Sequence, residues 1–244
     1  MIGRFRSGDD IFYGEIESGR VYPNGGVPAG TFELSELRVL PPASPSKIVC
    51  VGLNYRDHAK ELSMEIPETP VLFLKPPSAV IGHGDKIIYP ASSSRVDYEA
   101  ELALVIGKRC KNISAEKAKD VIAGYTCFND VTARDLQQKD GQWTRAKSFD
   151  TFAALGPYLA SPDEFDVSDA KVACRVNGET RQESSTSNLI FDVPYLIEFI
   201  TEIMTLEVGD VITTGTPPGI GELRRGDIVE VEIQGIGILR NEVV

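Results

Sequence analysis

Short apolar segments alternate with turn residues along most of the chain, and few stretches show a helical period. Residues 47–53 form a continuous apolar run that predicts a buried strand. Further short strands are predicted over residues 11–16, 71–74 and 86–89. Helices are predicted over residues 54–62, 114–122 and 194–202. Many short strands with few helices favour a β-dominated α+β fold, built as a sandwich or roll rather than a doubly wound sheet.

The strand predicted over residues 97–106 carries two glutamates in an apolar setting. Glu99 and Glu101 are two residues apart, so on a strand their side chains point to the same face. The residues around them are apolar on both faces, which indicates a buried strand. Buried carboxylates repel each other and resist desolvation unless a proton, basic partners or a cation compensates them. A hard divalent metal ion is one such cation; the alternative is a solvated sheet face.

The first forty residues differ from the rest of the chain. They alternate short strand-like pieces with turn signals, and a Pro/Ser-rich stretch over residues 41–46 follows them as a linker. We therefore predict a small β-rich N-terminal module over residues 1–44 and a main domain over residues 45–244.

Composition narrows the function classes. A net charge of −11 argues against nucleic-acid binding, for which a basic patch is expected. The N-terminus lacks the apolar core of a signal peptide, and no apolar run approaches the ~20 residues that span a membrane. The four cysteines are far apart, which indicates reduced structural thiols rather than zinc or redox chemistry. A cytoplasmic protein without membrane or nucleic-acid partners is expected.

His58 and Glu61 form a candidate catalytic pair. They are three residues apart on the predicted helix that Asn54 would cap, so their side chains face the same way. A carboxylate beside an imidazole fixes its tautomer and strengthens it as a base, the arrangement needed to take a proton from water or carbon. The alternative is a salt bridge on the helix surface.

Three further features offer polar groups to a site. Asp130 follows an apolar stretch and is either a third oxygen ligand or a turn residue. Lys147 is either a cation facing an anionic substrate or a surface lysine. The Gly/Thr/Pro loop over residues 213–219 has backbone N–H groups and hydroxyls that could hold a carboxylate, although such loops are usually turns.

The order and spacing of these residues resemble the fumarylacetoacetate hydrolase family. The resemblance covers about residues 46–244, and its blocks are G-x-N-Y-x-x-H-x-x-E from Gly52, F-L-K-P from Phe73, E-x-E from Glu99, D-x-T-A-R-D from Asp130, K-S-F-D from Lys147 and G-T-P-x-G from Gly215. It implies a mixed β-sandwich roll, usually a homodimer. It is closest to short members that act as acylpyruvases, oxaloacetate decarboxylases or 2-hydroxyhepta-2,4-diene-1,7-dioate isomerases.

The resemblance also implies a role for each matching residue. The Mg²⁺ or Mn²⁺ ligands would be Glu99, Glu101 and Asp130. His58 and Glu61 would activate water or move a proton, on a short helix that can act as a lid. Lys147 would stabilise an enolate or oxyanion. Arg134 and Thr216 would help to hold a small oxo-acid substrate.

A 2-oxo acid can chelate a metal through its carboxylate and keto oxygens, and the cation then stabilises an enolate at the adjacent carbon. The leading hypothesis is therefore a Mg²⁺-dependent hydrolase that cleaves a C–C bond of acylpyruvate-type 2,4-diketo acids. Isomerisation of a 2-hydroxydienoate and decarboxylation or tautomerisation of oxaloacetate use the same enolate and are the alternatives. A non-catalytic protein that binds metal or oxo acid is the second alternative.

Overall fold

Strands outnumber helices in the structure, a computed structural model that describes residues 1–244. The strands are β1 (Ile2–Ser7), β2 (Asp10–Glu17), β3 (Arg20–Pro23), β4 (Phe32–Glu33), β5 (Arg38–Leu40), β6 (Ile48–Gly52), β7 (Val71–Lys75), β8 (Val80–Ile81), β9 (Lys86–Ile87), β10 (Val96–Tyr98), β11 (Ala100–Ile106), β12 (Ile122–Asp130), β13 (Thr132–Ala133), β14 (Ala153–Ala160), β15 (Lys171–Val176), β16 (Glu179–Ser185), β17 (Val211–Thr213), β18 (Gly221–Leu223), β19 (Ile228–Ile233) and β20 (Gly237–Val243).

Helices are few and mostly short. The α-helices are α1 (Arg56–Glu61), α2 (Arg134–Asp140), α3 (Thr144–Lys147) and α4 (Val193–Ile203). The 3₁₀ helices are Asn24–Gly26, Leu34–Glu36, Pro77–Ala79, Ala115–Val121 and Thr186–Asn188. None of these helices is long and apolar enough to span a lipid bilayer. The prediction of a β-dominated fold is therefore confirmed, whereas its description as a sandwich roll stays a prediction.

The strands form three sheets. The largest has twelve strands, in the order β4-β3-β2-β1-β14-β12-β11-β17-β6-β7, with β5 paired to β1 and β8 paired to β14. A second sheet has the order β16-β15-β19-β20-β9, and a small third sheet has the order β13-β10-β18. The main apolar core contains residues from the first two sheets, among them Leu102 and Leu104 of β11 and Val229 and Val231 of β19. Ala103 and Val105, on the other face of β11, belong to a second buried cluster with Phe128 and Leu155, so β11 is buried on both faces.

The first strands hold a separate small apolar cluster. Phe5, Phe12, Val21 and Leu37 pack together, apart from the main core. Strand β1 nevertheless joins the large sheet, because Ile2 pairs with Leu159 of β14. The division of the chain at residue 44 stays a prediction.

Two predicted helices differ from those observed. The helix predicted from Asn54 begins at Arg56, and its cap position is Tyr55. Asn54 is not the cap, because its side chain bonds instead to the distant backbone of Phe191 and Thr214. The helix predicted from Ser114 is the 3₁₀ helix Ala115–Val121. The helix predicted over residues 194–202 corresponds to α4, whose N-terminus is capped by Asp192.

Candidate active site

The structure brings the three predicted carboxylates together. One oxygen each from Glu99, Glu101 and Asp130 lies within 4.8 Å of the other two, and all three residues are buried. Strands β11 and β12 pair in antiparallel register with Glu101 opposite Phe128. This register places Asp130, at the end of β12, beside Glu99. The backbone N–H of Asp130 donates to the carbonyl of Glu99 at 2.9 Å. We call these three residues the acidic triad.

Basic side chains surround the acidic triad unevenly. The Nζ of Lys147 donates to Glu99 at 3.0 Å and to Asp130 at 2.7 Å. The Nζ of Lys75 donates to Asp130 and to the carbonyl of Val131. Arg134 donates to Glu99. Glu101 forms no ion pair and accepts the backbone N–H of Gly215 at 2.9 Å.

The two glutamates differ in pKa because of this asymmetry. Burial raises the pKa of Glu99, but Lys147 and Arg134 outweigh burial and lower it to about 2. Burial, followed by the charges of Asp130 and Glu99, raises the pKa of Glu101 well above its ordinary value. A buried carboxylate without a cationic partner needs a proton or a cation, and a divalent ion suits an all-oxygen donor set. The acidic triad therefore fits a divalent metal ion.

His58 and Glu61 also meet as the helical spacing predicts. The Nδ1 of His58 lies 2.8 Å from the Oε2 of Glu61 within α1. Because a carboxylate only accepts, Nδ1 carries the proton in this contact, and in the neutral imidazole the lone pair is then on Nε2. The His58 side chain is 7% exposed and that of Glu61 is 42% exposed. The buried imidazole is thus held by a carboxylate that reaches solvent.

The loop over residues 213–219 binds carboxylates of the protein itself. Gly215 donates its N–H to Glu101, and Gly219 donates its N–H to Glu61 at 3.1 Å. Gly219 has φ +93°, and a Cβ there would lie 2.2 Å from the carbonyl oxygen of Arg181, so a glycine is required. The loop therefore links the acidic triad to the His58–Glu61 pair.

Thr216 and Arg134 are largely occupied within the protein. The hydroxyl of Thr216 donates to the carbonyl of Ala100 at 3.0 Å and accepts from Gln182 at 2.9 Å. Arg134 bonds to Asp97 at 2.9 Å as well as to Glu99. Both residues line the cavity described below, but their predicted contact with substrate stays a prediction.

Three residues that contact the site were given no role in it by the sequence analysis. Lys75 pairs with Asp130 although it belongs to an apolar strand. Gln182 accepts the N–H of Ala100 and donates to Thr216. Asp57 accepts the N–H of His58 and the hydroxyl of Ser184 at 2.5 Å, which fixes α1 against β16. Only Lys75 had a signal, its place in the F-L-K-P block from Phe73. The contacts of Gln182 with Ala100 and of Asp57 with Ser184 join residues far apart in the chain.

A cavity of about 310 Å³ joins these groups. Its predicted site residues are His58, Glu99, Glu101, Arg134, Lys147 and Thr216. Its apolar residues are Val51, Leu53, Leu62, Met64, Phe73, Trp143 and Ile220. Glu61 and Asp130 contact lining residues from outside. The imidazole of His58 and the carboxylates of Glu99 and Glu101 therefore face one cavity.

Residues 47–244 match the family model described as fumarylacetoacetate (FAA) hydrolase C-terminal. The chain belongs to the fumarylacetoacetate hydrolase family. The mitochondrial oxaloacetate tautomerase FAHD2A of Bos taurus is 45% identical over 221 residues, which cover 86% of this chain and 70% of the relative. The predicted resemblance is thus confirmed.

Solved structures of two other enzymes of this fold cover almost the whole chain. One is the 5-carboxymethyl-2-hydroxymuconate delta-isomerase of Mycobacterium smegmatis, with 44% identity, a TM-score of 0.92, and coverage of 100% of this chain and 98% of the other. The other is a fumarylacetoacetate hydrolase from Exiguobacterium antarcticum, with 37% identity, a TM-score of 0.91, and coverage of 99% and 98%. Members of the fumarylacetoacetate hydrolase family are thus tautomerases, isomerases and hydrolases.

Proposed function

We propose that the protein is a divalent-metal-dependent enzyme that moves a proton at the carbon next to the keto group of a 2-oxo acid, as a keto–enol tautomerase or isomerase. The observation that carries this proposal is that buried His58, whose Nδ1 is held by Glu61, lines the same cavity as Glu99 and Glu101 of the acidic triad. The names of the relatives support it, since the tautomerase and the isomerase are both more than 40% identical to this chain.

The acidic triad would hold Mg²⁺ or Mn²⁺ through one carboxylate oxygen of each residue. When bound, such a cation supplies positive charge to the carboxylate and keto oxygens of a 2-oxo acid. The side chains of the protein carry the proton transfer. Nε2 of His58 takes a proton from the carbon next to the keto group, and Glu61 stabilises the imidazolium that forms. His58 then returns the proton to the enolate oxygen or to another carbon of the same substrate.

Lys147 would support the negative charge that develops in this step. Its Nζ has three protons, of which two are used by Glu99 and Asp130. The remaining proton is free to reach a substrate oxygen. Because Lys147 is 2% exposed, that contact lies in a largely desolvated setting, in which electrostatic stabilisation is strong.

Hydrolysis of a C–C bond in an acylpyruvate-type 2,4-diketo acid is the second candidate. The observation that favours it is the exposure of Glu61, because water can reach the His58–Glu61 pair from that side. Nε2 of His58 would then take a proton from water instead of carbon. The 37% identical hydrolase shows that this fold supports hydrolysis in another protein.

The test follows enol absorbance of oxaloacetate and acetylpyruvate with Mg²⁺ or with EDTA, while pyruvate and CO₂ are quantified. We expect Mg²⁺ to accelerate enol–keto conversion with no release of pyruvate or CO₂. Pyruvate and acetate from acetylpyruvate would establish the hydrolase instead, and CO₂ from oxaloacetate would establish a decarboxylase. If metal binds but neither substrate is converted, the tautomerase proposal is wrong.

A further inference from the structure

Apolar side chains make up a large part of the cavity lining. Phe73 and Trp143 meet edge to face with ring centroids 5.2 Å apart. Leu62 and Met64 follow α1 and are 45% and 54% exposed, which is high for large apolar residues beside a cavity. Ile220 completes this apolar wall. The exposed apolar area becomes buried if an apolar ligand group lies against it.

The cations of the cavity are already paired with protein carboxylates. Arg134 and Lys147 are the basic residues that line it, and no other lysine or arginine does so. Arg134 uses Nε for Asp97, Nη1 for Gln137 and Nη2 for Glu99. Lys147 is bound to the acidic triad. Positive charge is thus concentrated at the triad: Nζ of Lys147 lies 4.9 Å from the centroid of the Phe73 ring, and its hydrogen bonds go to Glu99 and Asp130.

Apart from the cations, His58 and the two glutamates of the triad, the polar side chains of the lining are neutral. Gln137 accepts the Arg134 N–H with its Oε1 at 2.6 Å, so its amide nitrogen is left as an uncharged donor. Gln138 is exposed on the same helix, α2, and also lines the cavity. An amide donates to a neutral oxygen but does not compensate the desolvation of a second carboxylate as a cation does.

We infer that the cavity selects 2-oxo acids whose end remote from the keto group is uncharged and apolar, in preference to the matching diacids. The carboxylate and keto group lie toward the acidic triad, and the remote end lies against Leu62, Met64, Trp143 and Ile220. A second carboxylate there would lose water without gaining a cationic partner. This inference rests on the proposed function, because it takes a 2-oxo acid as the substrate.

The test compares 2-oxohexanoate with 2-oxoadipate, which have the same chain length and differ by one terminal carboxylate. Exchange of the C3 protons with D₂O, followed by NMR with Mg²⁺ present, measures turnover. Trp143 is the only tryptophan, so its fluorescence measures binding independently of turnover. We expect the kcat/KM for exchange and the affinity to be at least about tenfold higher for 2-oxohexanoate.

Two substitutions test the position of the remote end. Gln138→Arg places a cation at the cavity wall and should shift the preference about threefold toward 2-oxoadipate. Gln234→Arg adds the same charge in the exposed turn between β19 and β20, outside this cavity, and should leave the preference unchanged. Equal shifts in both variants would show a general effect of net charge and would overturn the assignment of the wall.

The outcomes separate this inference from the proposed function. Exchange of both acids with equal kcat/KM, or faster exchange of 2-oxoadipate, would overturn the inference while the proposed function stands. Tighter binding of 2-oxohexanoate without exchange of either acid would support the inference and contradict the proposed function. If neither acid changes the Trp143 fluorescence or exchanges its protons, both are wrong.

Discussion

Replacing Glu101 by Gln should change stability in opposite directions with and without a divalent metal ion. Glu101 is buried and forms no ion pair, and Asp130 and Glu99 lie beside it. Gln has nearly the same shape, and its carbonyl can still accept the N–H of Gly215. The substitution thus removes a buried carboxyl group that must either keep its charge or bind a proton, and one metal ligand, with little change in packing.

The expected magnitudes follow from this arrangement. Without metal, folding must either bury the charge of Glu101 or add a proton to it, so its replacement by Gln should raise the free energy of unfolding by about 1–2 kcal/mol. For a chain of this size that corresponds to a rise in Tm of about 2–8 °C. With Mg²⁺ at a hundred times its Kd, the wild type should gain about 2.7 kcal/mol, whereas the variant should gain little. The order of stability of the two proteins should therefore reverse when metal is added.

The assay is thermal unfolding of both proteins in EDTA and in excess Mg²⁺. Glu99→Gln is a matched control, because Glu99 is paired with Lys147 and Arg134. That substitution should lower the stability of the metal-free protein by about 2–4 kcal/mol, since it leaves two buried cations less compensated. The reasoning is refuted if Glu101→Gln is less stable than the wild type in EDTA, or if Mg²⁺ stabilises both equally.

Three further substitutions test the base, the pH dependence of stability and the loop. His58→Ala should lower kcat by about 10²–10⁴-fold and leave Mg²⁺ affinity unchanged by calorimetry; equal losses of both would contradict its role as a base. Asp210→Asn should cost about 2–4 kcal/mol in urea unfolding at pH 7, because the carboxylate accepts from Ser46, Lys47 and Glu207. Burial raises the pKa of Asp210, but these hydrogen bonds outweigh burial and lower the pKa. The stability that Asp210 contributes is therefore present above its unfolded pKa and is lost as pH falls through its folded pKa. A loss of stability in Asp210→Asn that does not shrink in acid would contradict the assignment. Gly219→Ala should destabilise the loop by about 2 kcal/mol or more and lower kcat, since the new Cβ would meet the Arg181 carbonyl; unchanged activity would show that the Gly219 contact with Glu61 is dispensable.

Local spacing predicted the parts of the site that lie on one element. Glu99 and Glu101 come together as strand alternation predicts, although the predicted strand over residues 97–106 is divided and Glu99 lies between β10 and β11. His58 and Glu61 meet because residues three apart face each other on a helix. Asp130 needed more than spacing, because its approach to Glu99 depends on how β12 pairs with β11. Only the structure, in which Asp130 lies beside Glu99 and Glu101, excludes the alternative that Asp130 is merely a turn residue.

Long-range hydrogen bonds explain what sequence patterns could not predict. Asn54 has the residue type and position of a helix cap, but its side chain is engaged by the backbone of Phe191, which is 137 positions away. Gly219 bonds to Glu61 across 158 positions. No periodicity in the sequence encodes such pairs, since they depend on the packing of whole sheets. The same limit applies to Gln182, whose amide joins β16 to the loop at Thr216.

The most direct test of proton transfer by His58 is exchange of the C3 protons of a 2-oxo acid with D₂O, measured by NMR for wild type and His58→Ala. Both proteins are compared with saturating Mg²⁺ and with EDTA. We expect rapid exchange in the wild type with Mg²⁺, and loss of exchange either with EDTA or in the variant. Equal exchange by the variant and the wild type, with Mg²⁺ bound to both, would contradict the assignment of His58 as the base.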